Sequence, residues 1–213
     1  AIEDHRFASH PGVDPIAVGR ALWQNLSSGH RVSGGSTLAM QVARLQDPGP
    51  PTLPRKALEA LTALLLVDRY GREEVLRQYL VLAPYGNNVH GIAYAARRYF
   101  DKPVEDLSWA ETALLAGVPQ APGQMDLYTA KGRALAVARA VRILDRLAAE
   151  ATLDEVEHLT AVRELTRLRP GERPIRPASS LHPVLALERR VVADREPWRA
   201  TPIVRTSLDL ELQ

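Results

Sequence analysis

Two groups of residues in this chain could handle charge during a reaction. The first is acidic: Glu3-Asp4, set in a compact group with Phe7 and the turn His10-Pro11-Gly12. A further acid, Glu59, stands four positions after Arg55, so on a helix the two share a face. The plain reading of that pair is a surface salt bridge. The second group is polar and cationic. Gly34-Gly35-Ser36-Thr37 precedes Leu38, Gln41, Val42 and Leu45 at helical spacing. The glycines therefore turn the chain, and a helix starts with free N–H groups beside two hydroxyls. An anion can dock at such a terminus, and Ser36 can equally be a simple cap. Arg44, one turn beyond Gln41, and Arg55-Lys56 add cations whose geometry suits a diphosphate or plain solvent.

Other chemistries find no footing. The chain has no G-x-x-x-x-G-K loop and no H-E-x-x-H pair, and Leu38 stands where a nucleophile elbow needs glycine. Lys56, Lys102 and Lys131 all lack the serine three residues earlier that an S-x-x-K site requires. The absence of cysteine excludes thiol nucleophiles and thiolate metal sites. His5, His10, His30, His90, His158 and His182 lack metal-ligand spacing and read as turn or surface residues. A formal charge of +2, from 27 basic and 25 acidic residues, gives nucleic-acid binding no support.

The elements that must position these residues are mainly helical. With 213 residues, 46% hydrophobic and 24% charged, the chain can bury a core. Apolar residues at three- and four-residue spacing predict helices over 59–70, 73–82 and 91–100, separated by Gly71 and by 83–88. Ser108 and Glu111 form a capping-box pattern for a helix ending near Pro119. A further helix is expected over 131–149, and Thr152 with Glu155 reads as a second capping box for one running to Leu168. Pro170, Pro174, Pro177 and Pro183 then mark a linker. The expected organisation is a helical domain over 1–168 and a linker over 169–213 containing a strand at 202–208. The longest apolar stretch, Ala60 to Val67, is far short of the roughly 20 residues of a membrane span. The opening Ala1 and the mid-pattern close at Gln213 suggest a piece of a longer protein.

In order, these pieces resemble the peptidoglycan glycosyltransferase module of class A penicillin-binding proteins. The resemblance rests on Glu3-Asp4 with Phe7 and His10-Pro11-Gly12, Gly34-Gly35-Ser36-Thr37 through Gln41, and Arg55-Lys56-x-x-Glu59. It continues through Arg72 to Leu80, Gly91-Ile92, Ala95-Ala96, Tyr99-Phe100 and Leu114 to Pro122, about the first two-thirds of the chain. The wording of 10–15 and 37–44 is most similar to the 1C type. The resemblance implies a mostly helical, lysozyme-like fold and a reaction joining lipid II units into β-1,4 glycan, with inversion and release of undecaprenyl pyrophosphate. Glu3 then matches the general base, its acidity weakened by burial or by Asp4 and Glu59. Glu59 matches a second acid that orients basic residues or a pyrophosphate-bound Mg2+ or Mn2+. Asp4, Phe7, Gly34, Gly35, Ser36, Thr37, Gln41, Arg44, Arg55 and Lys56 match the substrate and diphosphate site.

The implied partners are lipid II, the growing glycan strand, a covalently linked transpeptidase domain and other cell-wall synthesis proteins. The implied place is the outer face of the cytoplasmic membrane, with an N-terminal anchor preceding this chain. Ile16, Val18, Leu22, Trp23 and Leu26 are expected to dip into the membrane interface or to pack as a helix. Arg72 stands for the family's usual lysine, Arg77 for a glutamate and Val81 for an asparagine, and a basic residue is missing within 46–54. Altered packing is expected at 77 and 81. Two alternatives remain: a lipid II-binding module without turnover, and a lysozyme-like enzyme that cleaves glycan.

Overall fold

The computed structural model describes Asp4, residues 6–28 and residues 35–172. The expected strand at 202–208 lies outside these residues, as do Glu3 and Gly34. Two compact units divide the chain, Ala1–Gly171 and Glu172–Gln213. All the described helices belong to the first unit.

The described residues are mainly α-helical, as expected, and the only β pairing among them is a single bridge between Pro84 and His90. Helix α1 (Pro15–Ser28) starts on Asp14, whose carboxylate accepts the N–H groups of Ile16 and Ala17 at 2.9 and 3.1 Å. Helix α2 (Leu38–Gln46) packs against α3 (Leu53–Leu82), which combines the two helices expected over 59–70 and 73–82. They meet at Gly71, with φ 78° and ψ 164°. An added Cβ there would touch nothing within 4 Å, so the glycine is required by conformation and not by crowding.

Helix α4 (Ile92–Phe100) ends on a left-handed Asp101, and α5 (Trp109–Gly117) lies at the centre of the remaining helices. Its sequence is apolar nearly all round: Ala110, Ala113, Leu114, Leu115 and Gly117 are buried, which suits a helix packed by α4, α6 (Ala130–Ala149) and α7 (Glu155–Arg167). The Ser108–Glu111 capping box forms as expected. The second box does not start at Thr152. It starts two residues later, where the Asp154 carboxylate accepts the Glu157 N–H at 2.7 Å and Glu157 returns the bond to the Asp154 N–H at 3.0 Å. Both T-x-x-E and D-x-x-E satisfy the pattern. The fold takes the one that leaves Leu153 buried at the end of the α6–α7 turn.

Candidate active site

The site is built around the first turn of the chain. Asp4 is 5% exposed, and its two side-chain oxygens take His10 Nε2 at 2.9 and 3.0 Å. The second of these oxygens also accepts the Leu38 backbone N–H at 3.0 Å. His10 Nδ1 in turn accepts the Gly12 N–H at 3.1 Å, so the ring proton resides on Nε2 and is donated to Asp4. Phe7 is half-buried, packed on the core and edge-on to His10 with ring centroids 6.3 Å apart. Arg6 and Asp14 close the base of the turn at 3.4 Å. Burial pushes the Asp14 carboxyl up, but the N–H groups of Ala17 and Ile16 and the Arg6 guanidinium together hold it below its ordinary value of 3.8.

Three other elements meet this turn. The buried Thr37 hydroxyl donates to the Gly12 carbonyl and accepts the Met40 N–H at 3.3 Å, capping α2. Gly12 has φ 117° and lies so close to α3 that a Cβ would stand 2.5 Å from the Ala63 carbonyl oxygen, which only glycine allows. Arg72, directly after the Gly71 bend, donates from Nε and Nη2 to the His10 carbonyl at 3.2 and 3.1 Å across 62 residues of chain.

These contacts correct several expectations. The N-terminus of α2 does not await a phosphate, because Asp4 already supplies the anion there. Asp4 is therefore an internal ligand of the fold, its oxygens taken by His10 and the Leu38 N–H. Thr37 is likewise committed: its one proton goes to Gly12, leaving none for a phosphate oxygen. Thr37, not Ser36, is the cap. Phe7 serves packing. Gly35 is buried against Val18 of α1.

The remaining predicted residues lie around this core. Ser36 and Gln41 are half-buried at the start of α2, and Arg44 is exposed two turns past the cap. Arg55 does not pair with Glu59. Its Nη2 meets Asp47 at 2.8 Å, and its Nε is buried with no hydrogen-bond partner among the described residues. Lys56 is half-buried beside it. Glu59, read as a surface residue, is 8% exposed. It lies one turn before Ala63 on the face of α3 that receives the Gly12 turn, and no described residue hydrogen-bonds to its carboxylate. A carboxylate so placed is available to a cationic or hydroxylic ligand.

Sequence reasoning missed His10 and Arg72 as members of this buried hydrogen-bond network. The His-Pro-Gly turn did signal a special backbone, but a bond spanning 62 residues leaves no local trace. Arg77 and Val81 are exposed, Arg77 pairing with Glu74 at 3.1 Å. Neither side chain enters the core, so an altered packing at these positions is confined to the surface. On α1, Ile16 and Trp23 face solvent, Trp23 at 74% exposure, so these two do not pack as core. A cavity of about 390 Å³ opens between Leu38, Tyr79, Tyr85, Trp109 and Ile143; it is largely apolar and none of the predicted site residues lines it.

Comparison with known proteins matches residues 1–148 to the family described as Transglycosylase. The chain is 40% identical over 172 residues to penicillin-binding protein 1C of Escherichia coli (strain K12), covering 81% of this chain and 22% of that protein. It is 40% identical over 133 residues to penicillin-binding protein 1A of Streptococcus oralis, covering 61% of this chain and 21% of that protein. The crystal structure of penicillin-binding protein 1A from Haemophilus influenzae aligns with TM-score 0.48 at 20% identity, over 75% of this chain and 20% of that one. The chain belongs to the transglycosylase family, and the resemblance to the module of class A penicillin-binding proteins, 1C type included, is borne out. It spans about a fifth of the length of the curated relatives it matches.

Proposed function

We propose that this chain is a peptidoglycan glycosyltransferase that polymerises lipid II into β-1,4 glycan with inversion. The observation that carries the reading is the convergence on the Gly12 turn of Asp4, the start of α2 and the Glu59 face of α3. Glu3 removes the proton of the acceptor sugar hydroxyl as its oxygen bonds to the far face of the donor's anomeric carbon. The bond from that carbon to the diphosphate breaks, and undecaprenyl pyrophosphate leaves with the electron pair. The leaving group is already an anion and needs neutralisation more than a proton. Ser36, Arg44, Arg55 and Lys56 supply it, with Arg55 held toward α2 by Asp47.

Among the described residues no three carboxylates or imidazoles group closely enough to hold a metal ion. One carboxylate, Glu59, together with substrate phosphates does fit Mg2+ or Mn2+, which takes few protein ligands in such sites. When bound, the ion neutralises diphosphate charge, and Glu59 orients it or the neighbouring cations.

The substrate's prenyl tail requires a membrane interface. Exposed Ile16 and Trp23 on α1 and the Leu58, Leu61, Leu65 stripe on α3 offer apolar surface for it. No described helix is long and apolar enough to cross a membrane. The working protein holds this module at the outer face of the cytoplasmic membrane, between an N-terminal anchor and a transpeptidase domain. Gel-resolved lipid II polymerisation in detergent tests the reading, with wild type and Glu3→Gln compared with and without Mg2+. Polymer from wild type alone is expected. Polymer from Glu3→Gln, no polymer from wild type, or shortening of preformed glycan overturns it.

A further inference from the structure

The connection from α2 to α3, Asp47 to Thr52, runs against the side chain of Arg55. Asp47 Oδ2 meets Arg55 Nη2 at 2.8 Å. An added Cβ on Gly49 would stand 3.2 Å from Arg55 Cζ and Nε, so the guanidinium lies on the loop backbone. We propose that Asp47 sets the affinity of this site for a diphosphate: its carboxylate occupies Arg55 in the resting protein and yields to the substrate's phosphates. This rests on the polymerase reading, in which Arg55 neutralises the leaving group.

The helix itself gives no reason for an acid at this position. Asp47 is the C-cap of α2, a terminus with partial negative charge where a carboxylate is unfavourable. Its backbone N–H closes the helix on the Ala43 carbonyl at 3.1 Å, which any residue but proline can do. Among the described residues the partner of its carboxylate is Arg55. The two partners differ in freedom. The Arg55 side chain is 18% exposed, and the loop against it is stiff: Pro48, Pro50 and Pro51 fix φ, Thr52 donates its N–H to the Pro50 carbonyl at 2.8 Å, and the Thr52 hydroxyl accepts the Arg55 N–H at 3.4 Å. The Asp47 side chain is 74% exposed and can turn into water. Arg55 also keeps a donor in hand, since its buried Nε has no hydrogen-bond partner among the described residues. A diphosphate brings several acceptor oxygens and more than one negative charge, and so displaces a single carboxylate from a guanidinium. Until it does, only the fraction of molecules with Arg55 released binds at full strength, and the apparent dissociation constant is raised by that fraction.

Asp47→Asn keeps the size and the capping N–H and removes the charge, at an exposed helix end where the fold tolerates the change. Releasing an ion pair with one exposed partner is worth about two- to fivefold. Asp47→Asn is expected to lower KM for lipid II by that factor, with kcat within about twofold of wild type. Calorimetric titration with inorganic pyrophosphate should show the same gain in affinity without turnover. Asp145→Asn removes an exposed carboxylate that pairs with His158 between α6 and α7, and so controls for net charge. It should change pyrophosphate affinity by less than about 1.5-fold, distant surface charges being screened by salt. Weaker pyrophosphate binding or a higher KM in Asp47→Asn would mean that the carboxylate holds Arg55 in its working place, and overturns the proposal. Equal affinity of wild type and Asp47→Asn, equal gains in the two variants, or no pyrophosphate binding by either overturns it as well. Wild-type protein that makes no polymer refutes the polymerase reading instead, while the pyrophosphate comparison still decides whether Asp47 screens Arg55.

Discussion

The Thr37 hydroxyl distinguishes a structural from a substrate role most cleanly. It is buried, donates to the Gly12 carbonyl and accepts the Met40 N–H. Thr37→Val keeps the shape and deletes both bonds. Losing the cap costs about 1 kcal/mol. Leaving the buried Gly12 carbonyl without the donor it has among the described residues costs a further ~1–2 kcal/mol. The expected loss is therefore about 2–3 kcal/mol, a fall of roughly 4–12 °C in Tm for a domain of this size. Thr37→Ser keeps the hydroxyl and should lose less than about 1 kcal/mol, the worth of one methyl group. Urea denaturation followed by circular dichroism gives both values, and polymerisation rates measured well below each midpoint complete the comparison. A Thr37→Val protein as stable as wild type but unable to turn over lipid II would refute the reasoning. The hydroxyl would then belong to the substrate and not to the fold.

Three further outcomes are expected from the same contacts. Gly71→Ala forces a side chain into a backbone region held at φ 78° and should cost about 1–3 kcal/mol in chemical denaturation, even though nothing crowds the position. The Asp14 carboxyl is held below its ordinary value of 3.8, so its contribution is complete above that pH and is lost as pH falls through the lower folded value. The gap in Tm between wild type and Asp14→Asn should accordingly close on acidification below about pH 4; a gap constant from pH 7 to pH 2 would contradict this. Restoring the family's residues with Arg77→Glu or Val81→Asn should change stability by no more than about 0.5 kcal/mol, since both positions are exposed.

How far the sequence could be read depended on the span of each interaction. The Ser108–Glu111 box and the break at Gly71 are local, set by a few neighbouring residues, and both were legible. The box at Asp154 was misread by two positions because two overlapping patterns compete and burial of Leu153 chooses between them. Family wording singled out the candidate acids and cations, but not the partners that packing gives them. Arg55 and Glu59 share a helix face, yet Arg55 turns to Asp47 while Glu59 turns inward, because the face that carries Ala63 is the one covered by the Gly12 turn.

By itself, the order of residues determined the helical class, most helix limits and the identity of the family, since propensity, caps and motif spacing act over a few positions of chain. Only the tertiary structure decided which polar groups are already spent. Asp4 occupies the anion site of α2, Thr37 gives its proton to Gly12, and Arg72 reaches back to His10. A hydrogen-bonding group has a fixed number of donors and acceptors. Whether these remain for a substrate depends on neighbours brought near by packing, which sequence distance does not record.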